Sequence, residues 1–145
     1  MKTTHALSAS MENYLEAIYH IVAEKQAVRA KDIAQRLEVN NSSVTMALRV
    51  LAEKGLVNYA PYDVITLTAE GKRVSEDVVE RHEALRGFFI KILLIDKELA
   101  DKAACDMEHA LPREILAPLT RFVEFVKQCP QCLEEFHQGE DQKRR

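Results

Sequence analysis

The stretch Ala30-Lys31-Asp32-Ile33-Ala34-Gln35-Arg36-Leu37-Glu38-Val39-Asn40-Asn41-Ser42-Ser43-Val44-Thr45-Met46-Ala47-Leu48-Arg49-Val50-Leu51-Ala52-Glu53-Lys54-Gly55-Leu56-Val57 decides the fold. It holds two short helical patterns, 30–37 and 41–54, separated only by Glu38-Val39-Asn40. A link that tight between two helices makes a helix-turn-helix corner. The expected core of the corner is Ile33, Ala34, Leu37, Val39, Val44, Leu48 and Leu51. Gly55 supplies the residue that ends the second helix. Val57–Tyr59 and Val64–Thr68 then read as two short strands around Ala60-Pro61-Tyr62-Asp63, a hairpin in the position of a wing.

The outward face of the second helix has its own chemistry. A DNA major groove admits one helix, and that helix needs short polar side chains on its first turn to approach base edges, while its free N–H groups face phosphate. Asn41, Ser42, Ser43, Thr45, Met46 and Arg49 occupy that face. Met46 suits a thymine methyl, and Arg29, Lys31 and Arg49 suit backbone phosphates. Ser42 and Ser43 could instead merely cap the helix, but corner, polar turn and wing together within about forty residues form the standard unit of groove docking. The net charge of −3 speaks against nucleic acid only until it is divided. Residues 1–75 carry 9 Lys/Arg and 8 Asp/Glu, residues 76–145 carry 11 and 15, and Lys25–Lys54 carries 6 basic to 3 acidic groups. Phosphate contacts are therefore expected from that basic segment.

Working outward, Ser10 is the expected cap of a first helix over 10–25, with Tyr14, Leu15, Ile18, Tyr19 and Val22 as its apolar stripe. Thr68, with Glu70 behind it, reads as the cap of a long helix continuing to Ile95. Helices over 97–110 and 113–127 and a piece after Pro130 follow, with Leu93, Leu94, Leu111, Ile115, Leu119, Phe122 and Val126 as core or dimer surface. The tail from Gly139 is polar and expected to fray. With 47% hydrophobic residues, 30% charged, only 4 Gly and 4 Pro and no Trp in 145 residues, the chain reads as mostly α. The expected division is a winged helix-turn-helix domain over 1–74 and a helical metal-binding and dimerisation domain over 75–145.

Met1–Ser10 contains one Lys and no apolar run, which predicts a cytoplasmic protein without a signal peptide. The most apolar stretch, Phe88–Ile95, is interrupted by Lys91 and is far shorter than the ~20 residues of a membrane span. The 3 cysteines are expected as reduced thiols.

Cys105, Glu108 and His109 stand at i, i+3 and i+4, a spacing that places three ligand-type groups on one helical face. Thiolate, carboxylate and imidazole together suit a borderline divalent ion such as Fe(II), Co(II), Ni(II) or Zn(II), and Mn(II) wants more oxygen. Asn13 and Glu16 on the first helix, and His82 on the long one, are the further candidate ligands. Cys129-Pro130-Gln131-Cys132 with His137 is a weaker candidate thiol or zinc site, lacking a nearby fourth ligand. His20 shares a face with Glu16 and Asn13 but reads as surface, and His5 falls in a tail. There is no Gly-rich phosphate loop, nucleophile elbow or His-Glu-x-x-His helix, so no enzyme and no small organic substrate are expected.

Four ordered motifs carry a resemblance. Ser10-Met11-Glu12-Asn13-Tyr14-Leu15-Glu16, the winged-helix segment, Arg81-His82-Glu83 and Cys105-Asp106-Met107-Glu108-His109 resemble the diphtheria-toxin-repressor and manganese-transport-regulator (DtxR/MntR) family over about residues 8–127. The resemblance implies a homodimer that binds operator DNA with Fe(II) or Mn(II) as corepressor, controlling metal homeostasis, with Co(II), Ni(II) or Zn(II) as in vitro substitutes. Cys105, Glu108 and His109 match the iron-type primary site. Asn13 replaces the iron type's methionine and the manganese type's aspartate, while Glu16 matches a manganese-type ligand. His82 matches a ligand of both branches. Arg86 and Asp101 stand where the iron-type ancillary site would have glutamate and histidine, which argues against a second metal there. Set against that resemblance, the chain is expected to be a short-form regulator, without the SH3-like third domain of the longer iron-type members. The alternative reading is a thiol-responsive winged-helix protein using Cys129 and Cys132, with a vestigial metal site.

Overall fold

The computed structural model describes residues 7–143, with side chains as far as Gly139; His5 lies outside them. Among the described residues the order is α1 (Ala9–Lys25), α2 (Ala30–Leu37), α3 (Asn41–Glu53), β1 (Val57–Asn58), β2 (Thr66–Leu67), α4 (Ala69–Gly87), α5 (Lys97–Met107), α6 (Arg113–Lys127) and α7 (Pro130–Lys143). The mostly α expectation holds. The chain forms two compact units, Met1–Val79 and Glu80–Arg145.

In the first unit, the cap of α1 lies two residues earlier than expected. Ser8, not Ser10, has extended backbone and accepts the Met11 N–H at 3.2 Å, satisfying one of the free donors of the first turn. Leu15, Ile18 and Ile21 of α1, Ile33 of α2, and Val44, Leu48 and Leu51 of α3 close one core with Val28, Leu56, Val57 and Ile65. Ala34 and Leu37 are only partly buried against it, and Val39, expected in the core, is 36% exposed in the turn. The corner is made by Glu38 in the left-handed region at φ 54°, its N–H returning to Ala34 O.

Gly55, at φ 72°, ends α3 as its position requires. The wing is shorter than its sequence pattern: Val57 pairs with Leu67 and Asn58 with Thr66, antiparallel. Ile65 extends the edge by donating its N–H to Val28 O at 2.8 Å. Thr68 caps α4, its Oγ1 accepting the Gly71 N–H at 3.0 Å while its hydroxyl donates to Gly55 O at 2.7 Å. Gly71 lets α4 lie against the strand backbone, since a Cβ there would stand 1.8 Å from Leu56 O.

The second unit corrects the long helix. α4 does not reach Ile95 in one conformation but gives way at Phe88 to a π turn over Phe88–Ile92. Ile95 N–H returns to Phe89 O at 2.9 Å, and Leu94 adopts φ 53°. The bend seats Ile92 with Val123 and Val126 of α6, packed by Phe88, Leu93 and Leu133. Leu94, Ile115 and Phe122 remain exposed. Asp96 caps α5 by accepting the Leu99 N–H at 3.1 Å. The expected helix over 97–110 stops at Met107, and Glu108–Ala110 continue as a tighter 3-10 turn. α6 has its expected bounds, and the polar tail is helical as far as Lys143.

Candidate DNA-reading face and metal centre

The capping alternative for α3 resolves onto a different residue. Asn40 is the cap, its Oδ1 accepting the Ser43 N–H at 2.8 Å and the Ser42 hydroxyl at 2.8 Å. Ser42 is thereby oriented by Asn40, and the Thr45 hydroxyl donates back to Asn41 O at 3.0 Å. Asn41, Ser42, Ser43, Met46 and Arg49 are exposed, Met46 by 69%, and Thr45 is half-buried. An apolar side chain so exposed on an otherwise polar face fits contact with a partner's methyl group better than it fits water. Asn40 was overlooked in the sequence, although Asn before a helical run is a preferred cap.

Arg29 and Lys31, the candidate phosphate contacts, are exposed at the start of α2. That end is braced by Asp32, whose Oδ2 accepts the Arg29 N–H at 3.0 Å and whose Oδ1 accepts Lys25 Nζ at 2.8 Å. The Lys25 ammonium, aided by the Arg29 amide, holds the Asp32 carboxyl below the usual aspartate range. Two further residues escaped the sequence reading. Tyr62 at the wing tip is 100% exposed with φ 65°, and Arg81 on α4 is a buried cation.

The candidate metal ligands of the second unit meet where α4 faces the end of α5. Glu108 is 0% exposed. His82 Nδ1 lies 2.6 Å from Glu108 Oε2, and His109 Nε2 lies 3.4 Å from Glu108 Oε1. No described residue hydrogen-bonds Glu108 Oε1. Two brackets hold the pair: Arg81 Nη1 donates to Glu108 O at 2.8 Å, and Arg86 Nε donates to Asp101 Oδ1. Arg86 and Asp101 thus satisfy one another. A wholly buried carboxylate with one oxygen lacking a hydrogen bond, flanked by two imidazoles, is costly unless a cation compensates it. Its nitrogen and oxygen donors fit a borderline divalent ion.

Cys105 is exposed on α5, in contrast to buried Glu108. Glu108 keeps the α register, its N–H returning to Ala104 O, and the chain tightens to a 3-10 turn over Glu108–Ala110, so the expected face of Cys105, Glu108 and His109 ends in that turn. In the first unit, Asn13 and Glu16 are partly buried on α1, and Glu16 Oε1 lies 3.6 Å from His20 Nε2. His20, read as surface, keeps a side chain 38% exposed there. The reduced-thiol expectation is corrected at one place: Cys129 and Cys132 are joined as a disulfide with Cα atoms 5.4 Å apart, because one turn at the start of α7 brings them within bonding range. His137 does not join them but places Nε2 2.9 Å from Ile92 O. These are not the groups of an assembled zinc site.

Comparisons with known proteins give the family of the chain. Residues 6–65 match the family "Iron dependent repressor, N-terminal DNA binding domain", and residues 68–137 match "Iron dependent repressor, metal binding and dimerisation domain". An uncharacterized HTH-type transcriptional regulator of Methanocaldococcus jannaschii is 36% identical over 122 residues, covering 83% of this chain and 98% of that protein. The HTH-type transcriptional regulator MntR of Shouchella clausii is 34% identical over 119 residues, 82% of each chain. Among solved structures, a manganese-dependent transcriptional repressor in complex with manganese superposes with a TM-score of 0.70 at 29% identity, over 79% of this chain and 53% of that one. The chain thus spans about half the length of that repressor. Among the described residues no helix is long and apolar enough to cross a membrane. The chain belongs to the DtxR/MntR family of metal-dependent transcriptional repressors, DNA-binding regulators rather than enzymes.

Proposed function

We propose that this chain is a cytoplasmic repressor that binds double-stranded operator DNA as a homodimer when loaded with Fe(II) or Mn(II), and controls genes of metal-ion uptake or homeostasis. The observation that carries the reading is the buried Glu108 carboxylate between His82 and His109. A bound divalent ion would supply the positive charge that lets these groups share one buried site. His82, Glu108 and His109 form the inner ligand set. Cys105 joins through a change of rotamer, and Asn13 and Glu16 are proposed as the contribution of α1, on the strength of the family resemblance.

The work of regulation then falls to the protein. Ligands drawn from both halves of the sequence restrict the first helix when they hold one charge, and so favour the dimer whose recognition helices stand about 34 Å apart, one turn of DNA. The free energy comes only from tighter metal binding by that DNA-competent state. Phosphate contacts come from Arg29, Lys31 and Arg49, and base contacts from Asn41, Ser42, Ser43, Thr45 and Met46.

Anaerobic fluorescence anisotropy on DNA from the gene's own upstream region tests the proposal. Binding that appears with Fe(II) or Mn(II), and is lost on chelation, supports it. Binding indifferent to metal contradicts it. Cys105→Ala that keeps tight metal-dependent binding removes Cys105 from the ligand set.

A second reading is favoured by the Cys129–Cys132 disulfide. If the thiol pair is the sensor, mild oxidation and reduction change DNA affinity with metal held constant, and Cys129→Ser abolishes that change.

A further inference from the structure

The wing ends in a side chain that neither packing nor backbone preference explains. Ala60-Pro61-Tyr62-Asp63 forms a turn closed by Asp63 N–H to Ala60 O at 3.1 Å. Pro61 occupies its second position and Tyr62 its third, at φ 65°. This is the arrangement in which the third residue is ordinarily Gly or Asn, because a Cβ is disfavoured in the left-handed region. A tyrosine there is disfavoured twice, since its ring is also 100% exposed.

The surroundings hold it in that state. Asp63 Oδ1 accepts the Val64 N–H at 2.8 Å, Asn58 Nδ2 donates to Thr66 Oγ1 at 3.0 Å, and Ile65 is tied to Val28. A pinned hairpin that presents one strained, solvated aromatic has the form of a contact element, and backbone strain of this kind gathers where function requires it. The same unit carries the DNA-reading face of α3, whose chain runs through Gly55 directly into the wing.

We propose that Tyr62 is a DNA contact of the wing, its ring lying on a deoxyribose and its hydroxyl donating to a phosphate oxygen. This rests on the DNA-binding reading of the first unit. The tip offers no cation: Ala60, Pro61 and Tyr62 are neutral and Asp63 is acidic. The contact is therefore non-ionic. It adds affinity without releasing counterions, so it differs measurably from an arginine contact.

The test compares Tyr62→Asn, Tyr62→Phe and Arg49→Ala with the wild-type chain by anisotropy on one operator duplex over a series of salt concentrations, with thermal unfolding of each. Asparagine tolerates the left-handed conformation, so Tyr62→Asn is expected to melt no lower than wild type. It is expected to bind roughly tenfold more weakly, the scale of one aromatic contact to nucleic acid. Its salt slope stays unchanged, whereas Arg49→Ala lowers the slope by about 1. Tyr62→Phe is expected to lose part of the affinity. If Tyr62→Asn binds as wild type while Arg49→Ala is impaired, the wing contact is wrong and the DNA reading stands. If wild type itself does not bind, the reading beneath it fails. A weakened Tyr62→Asn whose salt slope falls like that of Arg49→Ala contradicts the non-ionic contact.

Discussion

Arg81 of α4 donates from Nη1 to the carbonyl oxygen of Glu108 at 2.8 Å, across 27 residues of sequence. This bond ties the tight turn after α5 to α4 beside the His82–Glu108 contact. It is a charge-assisted bond made by an arginine only 8% exposed. Loss of such a bond costs about 2 kcal/mol. Arg81→Met is therefore expected to lower stability by about that much, read by chemical unfolding. It should also change the d–d absorption spectrum of the Co(II)-loaded protein, because Glu108 is no longer fixed. Arg81→Lys should restore part of both. An unchanged Co(II) spectrum in a destabilised Arg81→Met would reduce Arg81 to a scaffold role.

Two glycines of α4 are expected to respond oppositely to alanine. At Gly71 the added Cβ would stand 1.8 Å from Leu56 O, backbone that cannot rotate away. Gly71→Ala must displace α4 from the wing and should cost roughly 3 kcal/mol. At Gly87 nothing lies within 4 Å of the added atom and the backbone is helical. Gly87→Ala should stabilise by about 1 kcal/mol. Equal effects in denaturant unfolding would contradict this placement of α4.

Asp32 links α2 to α1 through Lys25 and its own start through Arg29. Its carboxyl is held below the ordinary aspartate value, first by the Lys25 hydrogen bond. A depressed value in the folded state means the contribution is present above the unfolded-state value, about pH 4, and is lost as pH falls further. Asp32→Ala should cost about 1 kcal/mol at pH 7. The gap between it and wild type should close in unfolding curves measured below pH 4.

Much of the fold was legible because local signals and burial agreed. Ile33, Val44, Leu48 and Leu51 lie on one periodic face and are all buried, and Gly55 ends its helix at positive φ. The misreadings fall where local sequence was ambiguous. Ser8 and Ser10 are equal cap candidates, and only the fold chooses Ser8. Nothing in Phe88–Ile92 announces a π turn, and the residues that Ile92 packs with there, Val123 and Val126, are distant in sequence. The candidate metal ligands were legible as residue types. The assumption of a regular helix through Cys105, Glu108 and His109 was not, since a 3-10 end leaves no mark in composition. Arg81 stood next to His82 in plain view, but its burial depends on α5.

In the proposed function, an ion held at Glu108 controls operator binding. The most direct measurement is the anisotropy of wild type and Glu108→Gln on the same operator, each with and without saturating Mn(II) or Fe(II) under anaerobic conditions. Glutamine keeps the volume and removes the charge. Metal is expected to raise wild-type affinity at least about tenfold, equivalent to ~1.4 kcal/mol, and to leave Glu108→Gln at the metal-free level. A folded Glu108→Gln that responds to metal as wild type does would contradict it.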